Sequence, residues 1–445
     1  MSRPAPLFGF FLFATLLCSA KDVTYYKDVA PIVQNRCQEC HRPGEAAPMS
    51  FLSYKEVRPW AKAMKSAVLS KKMPPWFSDD AHGKFSNDRR LSEAELNTLV
   101  AWVDGGAKEG DAKDAPKPVE YAKGWTIGKP DVVLEMPNEV KIPASGKIEY
   151  TYIVVPTGFT EDKWVEKVEL RPGNRAVVHH IVLYARAPGS KFVREAKPGI
   201  PYIPQEPDTK AEHKPDTGMG AFYALGNESL EMASVYVPGG AAYTTLPGQA
   251  RLIKAGSDMI FQMHYTANGK ETMDKSEVGI VFAKERPKER VINTFVLNPN
   301  MHIPPMEANH PVKATVTLHE QVKLQAMFPH MHVRGKAMEY KAIYPTGETQ
   351  TLLNVPKYDF NWQLTYMLKD PLILPKGSKL EITAWYDNSP NNPNNPDPKQ
   401  DVYWGEQTWE EMLAAFIDFA IPVDMKAVDI VRPKKPAATS VGGGE

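Results

Sequence analysis

The stretch Phe328-Pro329-His330-Met331-His332 contains two histidines two positions apart. In an extended strand alternate side chains share a face, so His330 and His332 would point to one side and Met331 to the other. Two imidazoles on one face supply half of a metal site. Because histidines also fall at this spacing by chance, the interpretation depends on which other potential ligands the chain contains.

The chain has 445 residues, enough for about two to four domains that each bury a core. Lys and Arg together number 53, as do Asp and Glu, so the formal net charge is zero. This balance argues against binding of nucleic acid, an anionic membrane surface or a strongly charged substrate. The 40 prolines and 29 glycines, set between short β-branched and aromatic runs, predict a turn-rich and mainly β protein.

The first twenty residues are typical of a secretory signal peptide. Arg3 gives a positive end, an apolar run covers residues 7–17, and Ala20 is a small residue suited to cleavage before Lys21. An uncleaved membrane anchor is the alternative, although the run is shorter than the ~20 residues that span a bilayer. A lipid anchor on Cys18 is a further alternative. We therefore expect an exported protein, periplasmic or extracellular, with membrane contact only if the leader is uncleaved.

Cleavage leaves two cysteines, in the stretch Cys37-Gln38-Glu39-Cys40-His41. This is the spacing of covalent c-type haem attachment, in which two thioethers hold the macrocycle and the following histidine binds the iron. A redox dithiol is the competing interpretation, but it would need a βαβ pattern nearby and would leave His41 unexplained. The motif predicts one covalent haem c.

The segment Tyr25–Gly110 resembles cytochrome c, and we place a haem domain at residues 21–110. The resemblance implies a small all-α unit with one helix entering the motif, at Asp28–Arg36, and a second helix closing the fold. Ser92 and Glu95 have the spacing of a capping box, and the apolar periodicity that follows ends at Gly105. The closing helix is thus predicted independently of the resemblance.

The same resemblance implies a methionine as the second iron ligand. Met73 is the best candidate because Pro74 and Pro75 stiffen the loop that must hold the thioether on the metal. Met49 and Met64 are the alternatives.

Beyond a linker at residues 111–128, the pattern changes to short β-branched and aromatic segments separated by turns. Such spacing predicts antiparallel β-sandwiches. We assign one sandwich to residues 129–289 and a second to residues 290–431, followed by a disordered tail at 432–445. A long insertion at 197–247 interrupts the first sandwich.

Three histidines in the first sandwich are potential ligands of one metal ion. His179 and His180 are neighbours, so a regular strand would send them to opposite faces. Both can bind one metal only at a strand end or a distortion of the strand. His264 lies in an apolar strand, where an imidazole otherwise needs a buried hydrogen-bond partner.

The second sandwich offers His330, His332 and the thioether of Met412, which apolar periodicity alone would place at the start of a helix. Imidazole binds both oxidation states of copper, and a thioether favours the reduced ion. The two groups of side chains therefore predict two copper ions.

The order of motifs His-His, Gln-x-His-Tyr, His-x-His and acidic residue-Met resembles the copper type II ascorbate-dependent monooxygenases, the family of peptidylglycine alpha-hydroxylating and dopamine beta-monooxygenases. The resemblance implies two jelly-roll sandwiches that face each other across a solvent-filled cleft. One copper passes an electron, and the other binds oxygen and hydroxylates a C–H bond. The corresponding ligands in this chain are His179, His180 and His264 for the electron-transfer copper, and His330, His332 and Met412 for the catalytic copper.

Departures from the family bear on the substrate. Peptide-amidating members have an arginine where this chain has Phe328, and an asparagine where it has Ala414. A glycine-extended peptide is therefore not expected, and Phe328 favours a small apolar or aromatic substrate. The disulfides of the animal enzymes are also excluded once the haem has taken both cysteines.

The sequence thus predicts an exported copper monooxygenase that uses O2, with electrons from the haem domain, ascorbate, or a cytochrome or quinol chain. The alternative is an exported copper-binding or electron-transfer protein without hydroxylase activity. Asn388–Pro398 is expected to form an ordered loop near the catalytic copper. The other histidines are expected to be solvated or merely hydrogen-bonded, namely His82, His213, His302, His310 and His319.

Overall fold

The computed structural model describes residues 22–45, 47–122, 124–204 and 228–432. The predicted leader, His213, part of the 197–247 insertion and nearly all of the predicted tail lie outside these ranges. The described chain is mainly β-sheet, with its α-helices confined to the N-terminal part. Within these ranges the α-helices are α1 (Ala30–Arg36), α2 (Tyr54–Val57), α3 (Ala61–Leu69) and α4 (Glu93–Asp104).

None of the helices in the described ranges combines the length and the apolar character that crossing a bilayer would require.

The N-terminal helices pack around a core of their own. A π-helical turn at Tyr25–Val29 leads into α1. Helix α4 begins with the predicted capping box: the Ser92 hydroxyl accepts from the Glu95 amide at 3.2 Å, and the Glu95 carboxylate accepts from the Ser92 amide at 2.7 Å. This confirms the predicted helix and its end at Gly105. The ion pair Arg36–Glu95, at 3.0 Å, links α1 to α4.

The first group of strands lies before residue 289. Its members within the described ranges are β1 (Val132–Glu135), β2 (Val140–Ile142), β3 (Thr151–Pro156), β4 (Lys163–Arg171), β5 (Val178–Arg186), β6 (Leu230–Tyr236), β7 (Tyr243–Thr244), β8 (Gln249–Ile253), β9 (Asp258–Tyr265), β10 (Thr272–Asp274) and β11 (Glu277–Phe282).

The second group of strands begins at Glu289. Its described members are β12 (Glu289–Leu297), β13 (His302–Ile303), β14 (His310–Thr317), β15 (Val322–His330), β16 (Gly335–Ile343), β17 (Thr349–Val355), β18 (Tyr366–Leu374), β19 (Lys379–Tyr386), β20 (Val402–Tyr403) and β21 (Ala414–Pro422).

The sheets confirm the predicted β-sandwich character. Among the described strands, one sheet runs β1-β11-β4-β8-β12-β21-β15-β18, with β7 beside β4. The four-stranded sheet β3-β9-β5-β6 packs on its first half and the sheet β14-β19-β16-β17 on its second half. Short pairs β10-β2 and β13-β20 lie at the periphery.

Strands β9 and β14 differ in how their side chains are buried. Strand β9 is buried from Met259 to Tyr265 because it is a central strand with both faces covered. In β14, at the edge of its sheet, the buried Val312 and Ala314 alternate with the exposed Pro311 and Lys313. These two strands thus show the burial expected of a covered strand and of a half-exposed edge strand.

The two sandwiches are not separate units, because they share one sheet and one hydrophobic core. Strand β12 pairs with β8 in parallel, through Glu289↔Gln249 and Arg290↔Ala250, so one sheet crosses the predicted boundary at residue 289. We predicted antiparallel sandwiches, and this parallel pairing of β12 with β8 departs from that prediction. One hydrophobic core also includes Tyr152 and Tyr184 from the first sandwich together with residues of the second.

The N-terminal part is docked on the second sandwich. The Ser86 amide donates to the Met367 carbonyl at 2.8 Å, and the Asn87 side chain donates to the Thr365 carbonyl at 2.7 Å. The rings of Trp76 and Tyr366 meet edge to face at 4.8 Å. These contacts hold the N-terminal part against the start of β18, which pairs with β15, the strand that ends at His330.

Candidate metal centres

A β-bulge brings the three histidines of the first sandwich together. Strands β5 and β9 pair antiparallel with His180 opposite His264, and the register shifts between Val178 and His180. The shift takes His179 out of the normal alternation, which is the distortion that a shared metal site requires. The Nδ1 of His180 lies 3.1 Å from the Nδ1 of His179 and 3.4 Å from the Nδ1 of His264.

This geometry fits a metal ion. Metal–nitrogen bonds of about 2.0–2.1 Å at tetrahedral angles place two ligand nitrogens roughly 3.3 Å apart, close to the observed separations. Burial lowers the pKa of His179 to about 4 and the pKa values of His180 and His264 well below the ordinary value. All three imidazoles are therefore neutral near pH 7, as metal binding requires.

The ligands predicted in the second sandwich also converge. His330 is the last residue of β15 and pairs with Ala414 of β21. If that antiparallel register is continued by two residues, His332 lies opposite Met412. The rings of His330 and His332 are 5.2 Å apart, and both line one cavity with Met412. Met412 leads into a strand and not into the helix that apolar periodicity alone would indicate.

Each of these two histidines is held through its Nδ1. His330 Nδ1 donates to the Gln363 side-chain oxygen at 2.6 Å, and His332 Nδ1 donates to the Glu410 carbonyl at 3.2 Å. A ring nitrogen that donates in this way leaves Nε2 with the lone pair that a metal needs. Burial lowers the pKa of His330 to about 4, so this ring too is neutral.

A buried carboxyl group supports the backbone around His332. Glu411 accepts from the His332 amide at 2.9 Å and from the Arg334 amide at 2.6 Å, and burial raises its pKa to about 8. The Arg334 guanidinium donates to Asn388 at 3.0 Å and to the Trp409 carbonyl at 2.8 Å. The predicted loop at Asn388 is therefore ordered and adjoins this site.

The two groups of ligands lie against each other. The ring centroids of His180 and His330 are 6.4 Å apart, and the Tyr150 ring lies 4.7 Å from His264 and 6.2 Å from His332. The resemblance implied a solvent-filled cleft between the sandwiches, and the structure differs. The reason is the shared sheet and the shared core, which bring the two sandwiches into contact.

The cavity bounded by His180, His330, His332 and Met412 holds only about 30 Å³, little more than one water. Phe328, Phe416 and Leu297 form part of its apolar wall. Among the described residues that line it there is no lysine or arginine, whereas Gln262 and Glu406 supply polar groups.

The predicted haem ligands also border one cavity. Cys37 and Cys40 carry free thiols, and the His41 ring stacks on Phe51 at 4.3 Å. A cavity of about 720 Å³ is lined by these three residues and by Met73, with Met49 and Met64 also on its wall. Its volume suits a cofactor. Burial raises the pKa of the Cys37 thiol to about 12, which disfavours the thiolate that a redox dithiol would use.

These residues fit a covalent haem, but the cytochrome c assignment remains a prediction. All three methionine candidates, Met73, Met49 and Met64, line the cavity.

Several supporting residues were not found from the sequence. Gln363, Tyr150 and Phe360 come from loops or strands distant in the chain, and no local pattern marks them. Glu411 could have been found from the sequence, because it is the acidic residue of the acidic residue-Met motif that ends in Met412. Two of the other histidines have the predicted hydrogen-bonding role: His82 contacts Asp79 at 2.8 Å and His302 contacts Asp401 at 2.6 Å.

Comparison with known proteins supports the copper family for the second sandwich. Residues 290–435 match the family model described as copper type II ascorbate-dependent monooxygenase, C-terminal domain. The match includes His330, His332 and Met412 and supports an oxidoreductase of the copper-dependent hydroxylase class. Such a family implies O2, a substrate and a reductant such as ascorbate. Residues before 290 lie outside the match.

A search of curated proteins found no match. Among solved structures, the infectious bursal disease virus Gx strain is similar at 7% identity over 68% of this chain and 75% of that chain, with a TM-score of 0.19. Allantoicase is similar at 8% identity over 56% of this chain and 81% of that chain, with a TM-score of 0.15. TM-scores this low do not indicate a shared fold.

Proposed function

We propose that this protein is an exported copper-dependent monooxygenase that hydroxylates a C–H bond of a small apolar or aromatic substrate with O2. The observation that carries the proposal is the convergence of His180, His330, His332 and Met412 on one cavity. The family match over residues 290–435 supports the same chemistry. Two copper ions are proposed, one for each group of ligands.

Copper held by imidazoles and a thioether supplies one-electron redox chemistry and a site for O2. The chain's own residues prepare that site. Gln363 and the Glu410 carbonyl hold Nδ1 of His330 and His332, so both Nε2 atoms remain available. Phe328 and Phe416 exclude water and offer an apolar surface to a substrate.

Electrons are proposed to arrive through a covalent haem held by Cys37, Cys40, His41 and Met73, from ascorbate, or from a cytochrome or quinol chain. Hydroxylation by O2 needs two electrons from outside. Two one-electron copper sites and a one-electron haem match that requirement. The haem-sized cavity beside Cys37 supports this route.

A second candidate function is copper binding or electron transfer without hydroxylation. The cavity volume of about 30 Å³ favours it, because a substrate larger than water does not fit there in this conformation. Under the main proposal the walls formed by Phe328 and Phe416 must move apart to admit the substrate.

The first experiment is the copper-to-iron ratio of protein matured in an exporting host, with the haem spectrum as an internal standard. We expect two copper ions per haem and a fall to one in His330→Ala. The matched control is His302→Ala, which removes an exposed histidine from the same sandwich. A ratio near zero after copper loading, with haem intact, would exclude the metal sites.

Oxygen uptake separates the two functions. We expect uptake coupled to a hydroxylated product when apolar and aromatic compounds are supplied with ascorbate, and no coupling with a glycine-extended peptide. Two bound copper ions without coupled uptake across such a series would favour the second candidate function.

A further inference from the structure

The cavity beside the Cys37–His41 motif is not enclosed by the N-terminal unit alone. One part of its wall is His179, which is also a candidate ligand of the three-histidine copper site. Another part is formed by Asn361 and Trp362 from the second sandwich. A group filling this cavity would therefore contact a side chain that itself reaches the copper site.

The wall residues Asn361 and Trp362 belong to a tight turn, Asp359–Gln363. The Trp362 amide donates to the Asp359 carbonyl at 2.9 Å, and the Asn361 amide donates to the Asp359 carboxylate at 2.9 Å. Gln363 also donates to the Phe360 carbonyl at 3.2 Å. These bonds hold the turn in one conformation.

The same turn touches both groups of copper ligands. The Phe360 ring stacks on His179 with centroids 5.3 Å apart and an interplanar angle of 18°, and lies 6.5 Å from His332. Gln363 accepts from His330 at 2.6 Å. Five consecutive residues thus contact the haem cavity, the three-histidine site and the histidine-methionine site.

We infer that electrons pass from the haem to the three-histidine copper through His179, and that the turn Asp359–Gln363 positions this contact. The inference rests on the proposed function and names the route within it. One electron leaves the iron(II) haem, which becomes iron(III), and copper(II) at the three histidines becomes copper(I). No covalent bond or proton changes place.

The geometry favours this route because the rate of electron tunnelling falls steeply with distance and wherever contact between the intervening groups is broken. His179 borders the cavity and its Nδ1 lies 3.1 Å from that of His180, so one side chain spans the gap. Phe360 and Trp362 act as positioning residues: Phe360 holds the His179 ring from one face, and Trp362 closes the cavity beside it.

The test measures electron transfer directly, without O2 or substrate. Protein with reduced haem and oxidised copper is generated anaerobically, for example by flash photoreduction, and oxidation of the haem is followed by its absorbance. We expect Phe360→Leu and Trp362→Leu each to slow this oxidation by about tenfold or more. Phe360→Tyr keeps the stacked ring and should restore the wild-type rate.

The matched control is Trp125→Leu, which removes an indole that packs on Gly279 and Arg171, away from the cavity. Its rate should equal that of the wild type. The copper-to-iron ratio, the haem spectrum and the haem reduction potential are measured for every variant, so that lost cofactor or changed driving force is recognised. Wild-type rates in both leucine variants, with intact cofactors, would overturn the route.

The outcomes also distinguish this inference from the proposed function. Hydroxylation driven by ascorbate with no transfer from haem to copper in the wild type would refute the inference alone. Rapid transfer that depends on Phe360 and Trp362, with no hydroxylated product, would support the inference and count against the monooxygenase. Protein with haem but no copper would refute both.

Discussion

Gln363 accepts a hydrogen bond from His330 Nδ1 at 2.6 Å, and the two side chains are only 2% and 8% exposed. An amide oxygen can only accept, so this contact places the proton on Nδ1 and the lone pair on Nε2. The tautomer of a strand residue is thus decided by a turn 33 residues further along the chain.

Replacement of Gln363 by Leu should weaken the histidine-methionine copper site. Loss of such an outer hydrogen bond typically costs 10–100-fold in metal affinity, so we expect a drop of about that size at one of the two sites. Copper titration followed by electron paramagnetic resonance measures it. Gln350→Leu, at an exposed position of the same sandwich, is the control. An unchanged copper affinity at the histidine-methionine site of the Gln363 variant would contradict this role.

Glu411→Ala should destabilise the protein. The change leaves the buried amides of His332 and Arg334 without their acceptor, and each such loss costs about 1–3 kcal/mol. We expect the free energy of unfolding in urea to fall by roughly 2–5 kcal/mol. Glu381→Ala removes a carboxylate that is 25% exposed and pairs with Lys341 and Lys313, and should cost less than about 1 kcal/mol. Similar losses in the two variants would argue against the buried support.

Met412→His should retain copper and lose hydroxylation. An imidazole still binds the metal, but it no longer favours copper(I) as a thioether does. Copper content and product formation are measured on the same preparation. Met425→His, at a partly buried methionine beyond β21, should leave both unchanged. Full hydroxylase activity in the Met412 variant would exclude it as a catalytic ligand.

Loss of the proposed haem should separate the electron donors. Cys37→Ala combined with Cys40→Ala takes away both points of covalent attachment, so turnover with a cytochrome donor should be abolished while turnover with ascorbate is retained. The haem stain of the denatured protein confirms the loss. Unchanged turnover with both donors would mean that the haem does not supply the copper sites.

Ionisation of the buried Glu231 carboxyl group should make the protein less stable as the pH rises. Burial raises the pKa of this carboxyl group to about 7 from 4.5, although it lies 3.6 Å from Arg251 and also faces Arg290, Asp418 and Glu228. A raised pKa in the folded state gives stability that is complete below pH 4.5 and is lost as the pH increases through about 7.

Glu231→Gln removes that titration. The free energy of unfolding of the variant should exceed that of the wild type by an amount that grows between about pH 4.5 and pH 7, to a total on the order of 1–3 kcal/mol. Urea unfolding at several pH values measures the difference. A difference that is constant over this range would show that the carboxyl group does not titrate there.

Local patterns anticipated much of the secondary structure. The spacing of Ser92 and Glu95 predicted the start of α4, since a capping box involves only residues within one turn. The adjacency of His179 and His180 correctly required a distortion of the strand, and β5 has a bulge there. Apolar periodicity indicated a helix beginning at Met412, whereas the residue leads into β21, because pairing with β12 and β15 decides the local structure there.

Residue type and short-range spacing in the sequence predicted a haem-attachment motif and most of the strands, and the resemblance to a known copper family implied the six candidate copper ligands. The 6.4 Å approach of His180 to His330, and the turn at Phe360 that contacts all three candidate centres, emerged only on folding. These contacts join residues far apart in the chain, and the packing of a shared sheet and core, rather than any local pattern, determines which of them meet.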